Sequence, residues 1–156
     1  MTIYATLCFI VKDGRVLLLK KAEGLWGGGK WNGPGGKLHP GENPQQGAIR
    51  EMFEETGLTV EDPEQQGVLY FFFGREAEPD WVVYVFRAEA FSGEMRESEE
   101  GILRWHPVEH LPYEQMWEDD RHWLPVLLSG QRFKGGFYFD EEVEELLAYR
   151  LDTFEP

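Results

Sequence analysis

Glu51, Glu54 and Glu55 stand at i, i+3 and i+4 in a stretch with helical periodicity. At 100° per residue that spacing puts all three carboxylates on one helix face, a few ångströms apart. Like charges that close repel strongly, so something must compensate. Hard divalent cations do this best: Mg²⁺ and Mn²⁺ take carboxylate oxygens and keep positions open for water and phosphate. Arg50 can pair with Glu54 four residues on, and Glu42, in the loop ahead, can cap or brace the cluster. An isolated acidic run of this kind also fits a solvated helix face. What separates the two readings is the set of residues at fixed offsets around the cluster: Gly36, Glu42, Arg50 and Gly57.

The elements that must position these groups can be read from periodicity. Residues 3–11 (IYATLCFIV) form an apolar, β-branched run expected to be a buried strand. Asp13-Gly14 marks a tight turn, and residues 15–21 (RVLLLKK) return as the second strand of a hairpin. Between Gly24 and Gly41 lie eight glycines and two prolines, a composition that predicts an irregular loop whose backbone approaches something closely. The helix is expected over 44–56, with Pro44 in its first turn and Gly57 at its C-terminal end. Ala48, Ile49, Met52 and Phe53 share one arc and should pack on a sheet. Arg50, Glu51, Glu54 and Glu55 share the opposite arc and should face outward or into a cleft. Strands are expected at 67–73 and 81–89 around a polar connection, 74–80. An acidic loop at 92–101 and a short strand at 102–106 follow. A second helix is expected at 119–128, with Asp119 or Asp120 as N-cap and Pro125 as an awkward interior residue. Residues 133–139 read as a strand, and 141–151 fit either helix or strand.

Composition narrows the partners. A length of 156 residues is typical of one domain, 1–156, and long enough for a real core; 42 % hydrophobic and 15 % aromatic residues argue against disorder. The net charge of −14 repels nucleic-acid polymers and anionic membranes, so a small polyanion bridged by cations is the compatible anionic partner. Cys8 is the one cysteine, expected to be buried and inert, in keeping with a reducing compartment. No basic stretch precedes an apolar run at Met1–Tyr4, and no apolar run is long enough to span a bilayer. A cytoplasmic monomer is the expectation. His39, His106, His110 and His122 lack metal-ligand spacing. Residues 24–31 (GLWGGGKW) nearly spell a phosphate-binding loop, but Trp31 occupies the place of the required hydroxyl and no helix pattern follows, which excludes a kinase-like nucleotide site.

The stretch Gly36–Leu58, GKLHPGENPQQGAIREMFEETGL, matches every defined position of the Nudix signature. The chain therefore resembles the Nudix hydrolases. That resemblance implies an α+β fold, a mixed β-sheet sandwiched between helices with the signature as a loop–helix–loop. It also implies hydrolysis of a nucleoside diphosphate linked to a further group. Mg²⁺, or Mn²⁺ in its place, would sit on Glu51, Glu54 and Glu55, with Gly36 and Glu100 in the same metal site. Such ions neutralise phosphate oxygens, orient the chain and lower the pKa of an attacking water. Glu54 and Glu100 are the candidates for the base that takes the water's proton, with Glu51 and Arg50 completing the catalytic set.

Trp26, Asn32, Phe71, Phe73, Trp117, Asp119 and Asp120 combine flat apolar surface with hydrogen-bonding groups of both senses, which suits a purine. Lys30-Trp31-Asn32-Gly33, Gly35-Gly36-Lys37, Met116-Trp117-Glu118-Asp119-Asp120 and Trp123-Leu124-Pro125 are similar to the MutT-homologue branch of the family, the oxidised purine nucleoside triphosphatases. Those enzymes convert 8-oxo-dGTP and 2-hydroxy-dATP to monophosphate and pyrophosphate, by attack at the β-phosphorus. The resemblance implies base reading by Asn32, Trp117, Asp119 and Asp120, pocket aromatics at Phe71 and Phe73, and a pocket lysine at Lys21. Two adjacent carboxyls in a dry pocket tend to share one proton, which would let them accept both oxidised guanine and oxidised adenine. Trp26, Pro34 and His39-Pro40 depart from that branch, and they bear on base preference more than on cutting. Two other readings stay open at this point: a Nudix hydrolase for dNTPs, ADP-ribose or a dinucleoside polyphosphate, and a non-catalytic nucleotide sensor.

Overall fold

The alternation of strand β1 (Ile3–Lys12) divides the molecule into two packing layers. Ala5, Phe9 and Val11 point to one face of the sheet, Cys8 and Ile10 to the other, and all five are buried. The computed structural model describes residues 1–74 and 77–155. β1 turns at Asp13 (φ 54°) and Gly14 (φ 74°) into β2 (Arg15–Lys21), the paired left-handed residues of a hairpin whose twist matches its strands. β1 and β2 pair only at their closed end, Val11 with Val16 and Lys12 with Arg15. They then splay. β3 (Trp31–Asn32) joins β2, while β4 (Gly35–Lys37) pairs with Ala5–Leu7 of β1. The glycine-rich stretch was expected to be irregular throughout; both short strands contradict that, because Trp31 supplies a buried anchor and Gly35 lets main chains meet where a Cβ would strike the Thr6 carbonyl.

The first helix, α1, spans Pro44–Thr56. Asn43 is its N-cap and forms a reciprocal box with Gln46: Gln46 N–H donates to Asn43 Oδ1 (2.9 Å) and Asn43 N–H donates to Gln46 Oε1 (3.0 Å). Glu42 is therefore not the cap. Gly57 (φ 81°) ends the helix in the left-handed conformation, its N–H reaching Phe53 O. Ala48 and Met52 are buried against Cys8, Ile10, Leu17, Leu19 and Phe86, with Ile49 packed at the edge. Phe53, expected on that apolar arc, is 48 % exposed and lies under the Arg96 guanidinium, 5.4 Å from the ring centroid. Glu55, on the acidic arc, is only 5 % exposed, so that arc faces a cleft over its last turn.

Strands β5 (Thr59–Glu61) and β8 (Ala90–Ser92) make a separate two-stranded sheet. β6 (Glu64–Phe73) and β9 (Gly101–Pro107) carry the expected strands with small extensions, and β7 (Trp81–Ala88) ends one residue short of the expected 81–89. Residues 75 and 76 of the expected 74–80 connection lie outside the described residues. The second helix, α2, spans Asp120–Leu128 and presents buried Trp123, Leu124 and Leu127 to Phe9, Leu69, Val85 and Phe133. Pro125 is tolerated because it faces solvent, where the carbonyl it leaves without a helix donor can be hydrated. Asp119 occupies the N-cap position without capping: its backbone is helical and its carboxylate turns inward. β10 (Arg132–Phe139) and β11 (Leu146–Phe154) finish the chain, so the ambiguous stretch 141–151 is a turn through residue 145 and a strand from Leu146. The sheet order is β11-β10-β6-β7-β1-β2-β3, with β9 beside β2, and with β1–β7 and β6–β10 parallel among antiparallel pairs. This is a mixed sheet with α1 on one face and α2 on the other. Among the described residues no helix is long and apolar enough to cross a membrane.

Candidate active site

The splayed ends of β1 and β2 open into a cavity of about 660 Å³. One end is acidic. Glu55 accepts from Gly35 N–H (2.8 Å), which ties the last turn of α1 to β4. Glu51 lies beside Gly36, where a Cβ would stand 2.7 Å from its carboxyl carbon, so the glycine makes room for that carboxylate. Glu100 borders the cavity from the loop before β9, held by Ala22 N–H donating to Glu100 O (2.8 Å). Burial, first, and then the neighbouring charges of Glu51 and Glu100 push the Glu55 carboxyl up to about 8, against the opposing effects of Gly35 N–H and Lys21.

Arg50 organises the outside of this cluster. Its Nε and Nη2 hold both oxygens of Glu42 (2.7 and 2.9 Å), Nη1 reaches Glu51 (2.7 Å) and Glu54 (3.2 Å), and Nη2 also donates to Lys37 O (3.0 Å). The forked pair with Arg50 is the main reason that Glu42 is pulled down to about 2. The expected Arg50–Glu54 pair is present, but the stronger partners are Glu42 and Glu51. Glu54 remains 53 % exposed. With Glu51 and Glu54 turned to Arg50 and Glu55 to Gly35, no three acidic, histidine or cysteine side chains among the described residues converge as a preformed metal cage.

The other end is aromatic. Trp26, 63 % exposed on the glycine-rich loop, stacks against Trp117 (centroids 5.0 Å apart) and Trp81 (6.1 Å). Phe71 and Phe73 line the wall, backed by Phe137 and Phe139. Asn32 spends its carbonyl on Gly33 N–H (2.8 Å), leaving its amide NH₂ for a ligand. Lys21 lines the same cavity. At the back sit Asp119 and Asp120, 3 % and 2 % exposed. Asp119 Oδ2 accepts from Trp123 Nε1 (2.7 Å), whereas Asp120 Oδ2 has no protein partner. Burial lifts both carboxyls, Asp119 to about 6 and Asp120 further, since it also faces the Asp119 charge. One proton between them is the arrangement their proximity favours.

All eight expected base-site residues therefore border one cavity, together with Glu55, Glu100 and Gly36; Arg50, Glu51 and Glu54 stand outside the lining. The sequence reading missed Trp81, Lys30 and Lys37 as neighbours of that cavity. Trp81 opens β7 and had been read only as a strand residue; Lys30 and Lys37 lie 5.0 Å from the Trp117 ring and 5.9 Å from the Trp81 ring, contacts between distant segments that local pattern does not carry. The histidines pack or face water: His106 sits edge-on to Trp31 and His122 stacks on Tyr149. Cys8 is free, buried and pushed up to about 12 by that burial.

Comparison with known proteins agrees with this geometry. The NUDIX domain model matches residues 1–127. The chain belongs to the Nudix family. Among Nudix relatives, an oxidized purine nucleoside triphosphate hydrolase of Danio rerio is 42 % identical over 150 residues, covering 96 % of this chain and 94 % of that one. Its counterpart of the same name in Mus musculus is 38 % identical, covering 94 % and 92 %. The crystal structure of a MutT protein from Bacillus halodurans superposes with a TM-score of 0.85 at 34 % identity, over 96 % of this chain and 97 % of that one. The protein is thus a Nudix hydrolase by family, and its mixed sheet between two helices is the Nudix fold.

Proposed function

We propose that this Nudix hydrolase cleaves oxidised purine nucleoside triphosphates to the monophosphate and pyrophosphate with the help of Mg²⁺. One observation carries the reading: a single cavity joins the acidic end of α1 to an aromatic slot backed by a buried aspartate pair, so a polyphosphate tail and a purine fit the two ends of one ligand. The names of the zebrafish and mouse relatives support the same substrate class.

The donor set fits a hard divalent ion. Burial first, and then the Glu51 and Glu100 carboxylates, keep Glu55 protonated up to about 8, and a cation at that place would favour its ionised form against both. Glu51, Glu54, Glu55 and Glu100 with the Gly36 carbonyl are the oxygens that would hold it. Bound there, Mg²⁺ neutralises phosphate oxygens and lowers the pKa of an attacking water. The chain's own groups do the rest. Arg50 and Glu42 fix the face on which Glu51 and Glu54 stand. Glu54, exposed and beside the cluster, and Glu100, at the cavity's border, are the two groups placed to accept the water's proton. Trp26 and Trp117 offer faces for stacking, and Asn32 donates from its amide. An Asp119–Asp120 pair with one proton presents a donor and an acceptor to the base edge, and moving that proton exchanges them.

The test is a nucleotide panel with product identification, run with and without Mg²⁺: 8-oxo-dGTP, 2-hydroxy-dATP, dGTP and ADP-ribose. Pyrophosphate release that needs Mg²⁺ and favours the oxidised purines is expected. Preference for ADP-ribose would refute the substrate, and binding without turnover of any nucleotide would refute the enzyme.

A further inference from the structure

We propose that Val143 sets the depth of the base cavity and thereby limits which purines it accepts, an inference that rests on the cavity being the base site. Val143 lies in the turn between β10 and β11, in the run Asp140-Glu141-Glu142-Val143-Glu144-Glu145. It is the one apolar residue there. Its four glutamate neighbours are exposed, while Val143 is partly buried and packs against the larger apolar core. Its backbone is left-handed, with φ 57°, a conformation that β-branched side chains seldom adopt. Strain of that kind persists only where the surroundings over-determine it.

The anchors that impose it are visible. Val143 N–H donates to Asp140 O (3.0 Å), and Asp140 Oδ1 accepts from Glu144 N–H (2.7 Å) and Glu145 N–H (3.3 Å). Leu146 N–H donates to Glu118 Oε1 (3.2 Å), which ties the end of the turn to the residue beside Trp117 and Asp119. The turn is thus pinned on both sides of Val143.

What Val143 touches gives the strain a use. A second cavity of about 560 Å³ lies next to the first and has a polar lining that includes Glu118, Arg121 and Glu144. Five residues border both spaces: Gly27, Lys30, Trp117, Phe139 and Val143. These make the partition. Among them Val143 is the one non-glycine residue with a positive φ. Of the four side chains that border both spaces, that of Val143 is also the smallest. Shortening the side chain joins the cavities and gives a bulky substituent on the base somewhere to go, while the substituted base keeps its stacking surfaces. Removing one or two methylene-sized groups from an apolar pocket changes discrimination by roughly 10- to 200-fold.

The experiment compares Val143→Gly, Val143→Ala and Val143→Leu with the parent. Glycine adopts φ 57° freely, so that variant carries the least risk of misfolding, and melting curves check all three. The probes are N6-benzyl-dATP, O6-benzyl-dGTP and 8-benzylamino-dATP, each paired with its unsubstituted nucleotide. The readouts are kcat/KM with Mg²⁺ and, separately, Kd by tryptophan quenching without metal. The Gly and Ala variants should raise the substituted-to-unsubstituted ratio at least about tenfold for one or more probes, chiefly through KM and Kd, and Leu should leave it at or below the parent's. Ratios within about twofold of the parent for every probe, in folded Gly and Ala variants, would overturn the proposal. The quenching arm separates the two readings: an enzyme that cuts no purine triphosphate defeats the functional assignment, yet its Kd ratios still decide whether Val143 limits depth.

Discussion

Arg50→Lys keeps the charge and should still loosen the cluster, because the clamp depends on the shape of the guanidinium. Arg50 spans both Glu42 oxygens, Glu51 and the Lys37 carbonyl at 2.7–3.0 Å, with Glu54 at 3.2 Å. A lysine ammonium is a single point with three donors and cannot reach all of these. Charge-assisted hydrogen bonds contribute about 1.5–3 kcal/mol each. With Arg50 and Glu42 20 % and 12 % exposed, solvent screening reduces that toward ~1 kcal/mol per bond lost. Arg50→Lys should then cost about 2 kcal/mol. Arg50→Ala, which also leaves three carboxylates facing one another, should cost about 3–4 kcal/mol. For a chain of this size that lowers Tm by about 5–8 °C and ~10 °C respectively. The effect has a pH signature. Glu42 titrates near 2 in the folded protein against an ordinary 4.5. A depressed carboxyl stabilises the fold above 4.5, and that contribution disappears as pH falls through 2. The ceiling is about 3 kcal/mol, and about 1–2 kcal/mol after screening. Thermal melts in EDTA at pH 5 and pH 2 on the parent, Arg50→Lys, Arg50→Ala and Glu42→Gln measure both. The reasoning is refuted if Arg50→Lys melts within about 2 °C of the parent at pH 5, or if the gap between the parent and Arg50→Ala does not narrow at pH 2.

Glu54→Gln should reduce pyrophosphate release at least about 100-fold while shifting Tm by no more than about 2 °C, because the side chain is half-exposed; turnover within tenfold of the parent would remove Glu54 from the chemistry. Glu55 titrates near 8 when folded against an ordinary 4.5, so the metal-free folded state binds the extra proton and loses stability as pH rises across that window. Glu55→Gln should flatten the slope and be about 2–4 kcal/mol more stable than the parent at pH 8 in EDTA, by urea unfolding; an equal difference at pH 5 and pH 8 would contradict this. Gly36→Ala should weaken Mn²⁺ binding and kcat at least about tenfold by pushing the Glu51 carboxylate aside, and unchanged Mn²⁺ titration would count against that crowding. Asp119→Asn keeps an oxygen for Trp123 Nε1 but no titratable proton, and should change the 8-oxo-dGTP to 2-hydroxy-dATP preference at least about tenfold; an unaltered ratio would dismiss proton exchange at the pair.

Helix α1 and its glutamates were legible in the sequence because one short segment contains both the period of 3.6 and the offsets of its chemistry. Six of the strands were legible because each is a short apolar or aromatic run bounded by turn residues. Other features depend on pairings between distant segments. β3 and β4 are only two and three residues long, β4 with two glycines, and their pairing is decided by β2 and by the Thr6 carbonyl of β1. Phe53 fits the apolar arc by period, yet it is half-exposed and lies under Arg96 instead. Asp119 has the residue type of a helix cap, but Trp123 Nε1 in the core outcompetes the helix N–H groups for its carboxylate. Trp81 and Val143 reach the cavity from a strand start and a turn that sequence distance separates from every motif. The unpaired oxygen of Asp120 could not have been inferred from the residue at all.

β1 and β2 meet at two residue pairs and then diverge around β4, so the cavity is drawn by main-chain ladders. A gap framed in that way keeps its position when side chains at its rim change, although those side chains set its depth and lining. Trp26, Phe71, Lys21 and Asn32 can therefore be exchanged by descent while the frame persists. A scaffold of this design can acquire a new ligand through a few rim substitutions and keep its hydrolytic edge intact.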